Sequence, residues 1–345
     1  MSKAAELAAL IGSGQAQGNR NIIINGAMQV AQRGDSTSAT TNQYVCDRTQ
    51  VALNSAGTWD ITQSSTSPDG FANSLKVDCT AANTSLSATS FMTIRQKIES
   101  QNLQHIAKGT SSAKRLTLSF YIRSNKTGTY QVNLRDGENA RLIGATYSIS
   151  LADTWEKKEI TFAADTSGTL PDTNVEGIVV EWWFASGSNY AGGAVPSAWE
   201  SSANTDRNAG SSINLADSTS NELYITGVQL EVGETATPFE HRSFGDELAR
   251  CKRYFQIHND MHLRGYSNGS TQRIEQYFAY SVEMRADPSR AVLSTGNSSN
   301  IRSSVTTYSG LVIGNRTGGA ILSLESNASG LAHFTNRKES LDAEL

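Results

Sequence analysis

Leu223–Gln256, LYITGVQLEVGETATPFEHRSFGDELARCKRYFQ, is the stretch whose reading decides the fold. Leu223, Ile225, Val228 and Leu230 are its apolar strand positions, and Gly227 shifts their phase as a bulge would. Gly233 closes the strand, and Pro238 keeps Thr237 extended. Ser243, Gly245 and Asp246 then supply helix-start chemistry ahead of Leu248, Cys251 and Phe255, which lie three and four apart on one helical face. A strand, a turn and a helix in this order make a hinge between two β-rich halves.

Upstream of the hinge, short strands alternate with polar turns. The pattern predicts strands at Thr49–Leu53, Ser74–Asp78, Phe91–Ile98, Arg115–Arg123, Gly128–Arg135, Glu156–Phe162, Glu176–Phe184 and Leu223–Leu230. Leu116, Leu118, Phe120 and Ile122 alternate with Thr117, Ser119 and Tyr121, which places one face in a core and the other in water. About eight strands at this spacing predict two packed antiparallel sheets. Gln101–Lys108 reads as a helix or an irregular excursion, and Ser186–Ser220 as a long loop rich in Gly, Ser, Asn and Ala. Downstream, strands are predicted at Arg253–Ile257, Leu263–Tyr266, Ile274–Met284, Ala291–Ser294, Leu311–Ile313, Ala320–Leu324 and Leu331–Thr335. Pro288 stops the third of these beyond Met284.

The order of motifs resembles a large group of bacteriophage tail-fibre and related virion structural proteins. GVQLE, ATPFEHR and ELARCKRYF in the hinge carry the resemblance, with NIIINGAMQVAQRG at Asn21–Gly34 followed by Asp47 and Arg48, VEMRADPSR at Val282–Arg290, and the terminal LDAEL. It implies an all-β chain: a carbohydrate-binding-module-like jelly-roll β-sandwich, then a smaller β-sandwich domain, with a short N-terminal helix and a helical connector. The expected division is a virion-attachment segment at 1–44, the jelly roll at 45–242, and the connector helix with the C-terminal β-domain at 243–345. It also implies a homotrimer, held in the tail of a particle assembled in the host cytoplasm, with other phage tail or virion proteins as partners of its N-terminus. The partner at the far end is a host surface glycan or protein.

Bulk composition fits and excludes. A chain of 345 residues is long for one core, so two domains are expected. With 29 Lys and Arg against 33 Asp and Glu, a net charge of −4 and no long basic run, nucleic acid is not an expected partner. No segment approaches 18 apolar residues, and the N-terminus lacks a signal peptide's apolar core, so membrane insertion is not expected either. Cys46, Cys79 and Cys251 lack zinc or redox spacing and read as free thiols, a Cys46–Cys79 disulfide being the alternative.

Ser2–Ile11 is a short amphipathic helix candidate, with Leu7, Leu10 and Ile11 on the face that would contact the particle or a neighbouring subunit. Deleting residues 2–14 is expected to leave the domains folded and to prevent incorporation into particles. For ligand binding, Trp182 and Trp183 are adjacent in a strand, so at most one enters the core. Trp183, with Tyr190 and Trp199 in the following loop, is the candidate platform for stacking on a sugar; the competing reading is that these rings pack the long loop down. No catalytic residue is assigned. HNDMH at 258–262 lacks the Glu of the hydrolytic zinc motif, His105, His241 and His333 are scattered, and neither a G-x-S-x-G elbow nor a Walker loop is present. No cofactor or metal is expected; a structural calcium near Asp69 or Asp217 is the one alternative left open.

These features together read as a non-enzymatic phage tail-fibre or receptor-binding subunit mediating attachment to the host surface. The alternatives are a head-decorating fibre or tail adaptor without a receptor role, and a polysaccharide-degrading tailspike-type enzyme. The last would need two of Asp60, Asp136, Glu138 and Glu181 in one cleft.

Overall fold

The structure, a computed structural model, describes residues 19–268, 272–294, 311–316, 319–326 and 329–345. Leu7, Leu10 and Ile11 lie outside the described residues. The chain divides into two compact units, Met1–Phe244 and Gly245–Leu345.

The first unit is a two-sheet antiparallel sandwich with jelly-roll winding. Its first strands are β1 (Gln43–Tyr44), β2 (Gln50–Asn54), β3 (Thr58–Ser64), β4 (Ser74–Ala81), β5 (Phe91–Glu99) and β6 (Leu116–Ser124). They are followed by β7 (Gly128–Asp136), β8 (Arg141–Ile149), β9 (Glu156–Phe162), β10 (Glu176–Ser186), β11 (Glu200–Ser201) and β12 (Glu222–Val232). One sheet has seven strands in the order β1-β2-β5-β10-β7-β8-β11, and the other has five, β3-β4-β12-β6-β9. Alternation sends Trp59, Ile61, Leu75, Val77, Phe120, Ile122 and Ile225 inward from the five-stranded sheet. From the seven-stranded sheet they meet Met92, Ile94, Tyr130, Val132, Ile178, Val180 and Trp182. Phe120 makes edge contacts with Tyr147 at 5.2 Å and Trp182 at 5.7 Å, the offset geometry that aromatic quadrupoles favour.

Gln101–Lys108 begins as a 3-10 helix over Ser100–Ile106. The long loop after β10 holds α1 (Ser188–Ala191), β11 and two 3-10 turns. The bulge expected at Gly227 is present: the β12–β6 register shifts between Thr226 and Gln229, and Gly227 has φ +61°. All three cysteines are buried free thiols, and burial pushes those of Cys46 and Cys79 above the ordinary thiol range.

Residues 19–34 are part of the sandwich. Ile22 N donates to Leu230 O (2.8 Å) and Val228 N to Gly26 O (2.9 Å), so this segment runs antiparallel along the far half of β12. The Asn21 amide spans the seam, donating to Val228 O and accepting from Leu230 N. Glu240 accepts from the backbone of Asn19 (2.5 Å) and Asn21 (2.8 Å), while Arg242 donates to the carbonyls of Asn21 and Ile23. A Cβ on Gly26 would stand 2.1 Å from Val228 O, so the glycine of the Asn25-Gly26 pair serves a close backbone approach.

The second unit begins within α2 (Phe244–Lys252) and has two three-stranded antiparallel sheets. One orders β13 (Phe255–Asn268), β18 (Ser329–Asp342) and β15 (Ser289–Ser294) as β13-β18-β15. The other orders β14 (Gln272–Ala279), β17 (Gly319–Ser326) and β16 (Leu311–Arg316) as β14-β17-β16. The strand predicted at Ile274–Met284 ends at Ala279. The chain turns there because Gln256 takes the next segment, its amide accepting from Ser281 and donating to Val282 O. The two strands expected on either side of HNDMH are one, β13, with register shifts at His258/Met261 and Met261/Leu263.

Candidate functional site

The two sheets of the sandwich present different outer faces. On the seven-stranded sheet Glu181 of β10 lies between Arg95 of β5 and Asn133 of β7 in register, and Trp183 lies between Thr93 and Gln131. The long loop crosses this surface. Arg207 donates to both oxygens of Glu181, at 2.9 and 2.5 Å, and its guanidinium stands 4.9 Å from the Trp183 ring centroid. Asn133 and Gln131 donate to the carbonyls of Arg207 (2.7 Å) and Asp206 (2.8 Å), and Gly210 N donates back to Gln131 (2.8 Å). Tyr190 covers the other side of Trp183, with ring centroids 5.2 Å apart. Glu181 is fully buried; burial raises the energy of its charged form, yet the Arg207 charge and its hydrogen bonds hold the carboxyl below the usual glutamate range.

The structure therefore brings Trp183 and Tyr190 together and puts Trp199 elsewhere. Trp183 is 1% exposed beneath Arg207 and Tyr190, so the chain itself occupies the ring face that a sugar would use. Trp199 donates from its indole to Ala163 O (2.9 Å) and lies 5.4 Å from Lys108 Nζ. Lys108 also bridges Asp136 (2.5 Å) and Asp165 (3.0 Å), and Arg141 completes the cluster on Asp165.

The carboxylates weighed for polysaccharide cleavage are dispersed. Asp60 of β3 accepts from Ser38 N, Asp136 is held by Lys108, Glu138 is exposed in the β7–β8 turn, and Glu181 is held by Arg207. Among the described residues no three His, Cys, Asp or Glu side chains converge as a metal site would need. Asp217 is occupied by Lys126 and Asn221.

The outer face of the five-stranded sheet holds an open groove of about 520 Å³. Ser119 and Tyr121 of β6, Lys157 of β9 and Gly227 of β12 form its floor, the turn Asp69–Phe71 one wall, and Ala236–Phe239 with His241 the other. Four rings converge: Phe71 lies 5.4 Å from Tyr121, 5.0 Å from Phe239 and 5.2 Å from His241, and Phe239 lies 4.9 Å from His241. Gly227 makes the floor possible, since a Cβ there would meet Phe71 at 2.7 Å and Tyr121 at 2.9 Å. The wall is fixed from beneath. Glu231 accepts from Thr237 N (2.8 Å) and Thr237 Oγ1 (2.7 Å), Gln229 donates to Glu231 (2.8 Å), and Glu240 N donates to Gln229 (2.8 Å). A hydrogen-bonded wall bearing rings, with polar groups at the rim, is the composition of a small-molecule site.

The candidate residues chosen from sequence did not include Phe71, Tyr121, Phe239 or His241. The available signal was the alternation of GVQLE, whose Gln229 and Glu231 are the polar positions that tie down Thr237 and, with it, the wall carrying Phe239.

No protein-family model and no curated protein sequence matches the chain. Among solved structures, the enzymatically active domain of tailspike protein 4 from bacteriophage CBA120 aligns at 11% identity over 62% of this chain, with a TM-score of 0.32. This chain spans 22% of that one. A putative sugar binding protein from Bacteroides thetaiotaomicron aligns at 13% identity over 62% of this chain and 100% of its own, with a TM-score of 0.33. The C-terminal family 22 carbohydrate-binding module of Clostridium thermocellum Xyn10B aligns at 11% identity over 64% of this chain and 99% of its own, also at 0.33.

Proposed function

We propose that the protein is a non-catalytic bacteriophage structural subunit, a trimeric tail-fibre or receptor-binding component, and that its first unit binds a host-surface glycan in the groove of Phe71, Tyr121, Phe239 and His241. The observation that carries this reading is the groove itself, with four rings over a glycine floor and the exposed Asp69 and Lys157 among its polar groups. Ring faces match the C–H faces of a sugar, and the polar groups match its hydroxyls. The virion role is supported by the motif order that resembles tail-fibre proteins. Absence of catalysis is supported by the groove's lining, where Asp69 is the single carboxylate and ordinary glycoside hydrolysis takes two.

The test is binding of the whole protein to polysaccharide stripped from host cells. Phe239→Ala is expected to weaken binding by about tenfold or more, equivalent to ~1.4 kcal/mol, and Phe239→Tyr to restore most of it. No reducing ends should be released. Undiminished binding by a folded Phe239→Ala protein would remove the groove from the reading, and release of reducing ends would make the protein an enzyme.

A further inference from the structure

The outer face of the seven-stranded sheet carries a charge that its neighbours leave over. Arg95 and Lys97 of β5, Arg135 of β7 and Arg207 of the crossing loop are its cations. Its carboxylates are already engaged: Glu181 by Arg207 at 2.5 Å, Glu176 by Arg135 at 2.9 Å and Lys97 at 3.1 Å, and Glu99, buried at the end of β5, accepts from Gln101. Arg95 forms no ion pair among the described residues. Its Nε donates to Gln50 Oε1 (2.6 Å) and its Nη2 to Asn42 Oδ1 (3.2 Å), two neutral oxygens that fix the direction of the guanidinium without neutralising it. Across β10 and one row along, Arg135 Nε is buried with no hydrogen-bond partner.

A guanidinium that is positioned, half-covered and shares its nearest carboxylate with another arginine is costly unless something else brings counter-charge. Burial lowers the pKa of Arg95 below the ordinary arginine value; Glu181 and Glu176 oppose the shift, and Arg135 and Arg207 add to it. Arginine is suited to this task because its planar fork matches an oxyanion edge to edge.

We propose that Arg95 anchors a second ligand position, which takes the carboxylate of a uronate-containing saccharide, with Lys97 and Arg135 alongside. The position is on the opposite face of the sandwich from the aromatic groove and depends on none of its residues.

Calorimetric titration of the full-length protein at fixed ionic strength tests this, with trigalacturonate, its fully methyl-esterified form and inorganic sulfate as the probes. Trigalacturonate is expected to bind saturably, at least tenfold more tightly than the ester, and more weakly as NaCl is raised. Arg95→Gln should lose at least tenfold, and Arg95→Lys should fall between it and the wild type. Thermal melts of each variant separate loss of the site from loss of the fold. Equal binding of acid and ester, full affinity in a folded Arg95→Gln protein, binding of sulfate alone, or no binding of either anion each overturns the proposal. None of these outcomes bears on the groove, whose test is the Phe239 series.

Discussion

Glu181 keeps its charge while buried under the crossing loop because Arg207 reaches it from that loop, and the consequence can be read as a function of pH. Arg207→Met leaves a buried carboxylate unpaired, an expected loss of about 3–5 kcal/mol near neutral pH. Glu181, Glu176 and Asp165 all have folded-state pKa values held below their ordinary values. They contribute stability above the unfolded-state pKa, and that contribution is lost as pH falls through the lower folded values. Wild-type stability should therefore decline below about pH 4.5, while the deficit of Arg207→Met shrinks over the same range as its Glu181 takes a proton. Urea melts of both proteins across this range check the prediction; a deficit independent of pH would mean that Arg207 acts by packing alone. Gly227 is the second residue with a sharp forecast. Gly227→Ala places a methyl against Phe71 and Tyr121 at positive φ, and is expected to cost about 1–3 kcal/mol and to close the groove. That Trp182 and Trp183 face opposite ways was legible from their adjacency. What covers Trp183 was not, because Arg207 lies 24 residues further on and the contact is made by a loop without periodicity.

Strands with regular alternation were read correctly, and those missed share a cause. Thr58–Ser64 and Arg141–Ile149 are both strands, though neither was expected. Trp59 and Ile61 are the only apolar residues of the first, among Thr, Asp, Gln and Ser, so its period is too short to register. In the second, Leu142 and Ile143 are neighbours and Gly144 interrupts the pattern, because a Cβ there would meet Asn133 Oδ1 at 2.4 Å. HNDMH read as a turn for its polarity, whereas β13 absorbs it with two register shifts. The NIIING segment pairs with β12 of its own chain. Asn21→Ala and Glu240→Ala each remove hydrogen bonds from both sides of that seam. Each is expected to lower stability by about 1–3 kcal/mol and to speed amide exchange at Ile22 and Leu230, and unchanged exchange would mean that the seam is held by Ile23 packing instead.

At the scale of the molecule, the division after Phe244 predicts that residues 19–244 fold alone, since both sheets, the seam and the groove lie within them. A fragment of that span should melt in one cooperative transition and retain glycan binding; loss of both would tie the first unit's stability to the second. Sedimentation of the full chain tests the proposed trimer, and imaging of intact particles tests its place on the tail. The motifs that suggested a virion component from sequence are, in the folded chain, the parts that bring Asn19 within a hydrogen bond of Glu240. In the proposed tail-fibre role the chain would carry tension, and this closeness would determine where the tension acts. Load entering near residue 19 and leaving near residue 244 would meet the seam end-on, so the bonds to Glu240, Arg242, Leu230 and Val228 would be loaded in succession. Each residue peeled from the seam lengthens the tether by about 3.3–3.6 Å. In the proposed fibre the seam would yield before the sheets, and the wall of Ala236–Phe239, which lies between β12 and residue 244, would be drawn along with it.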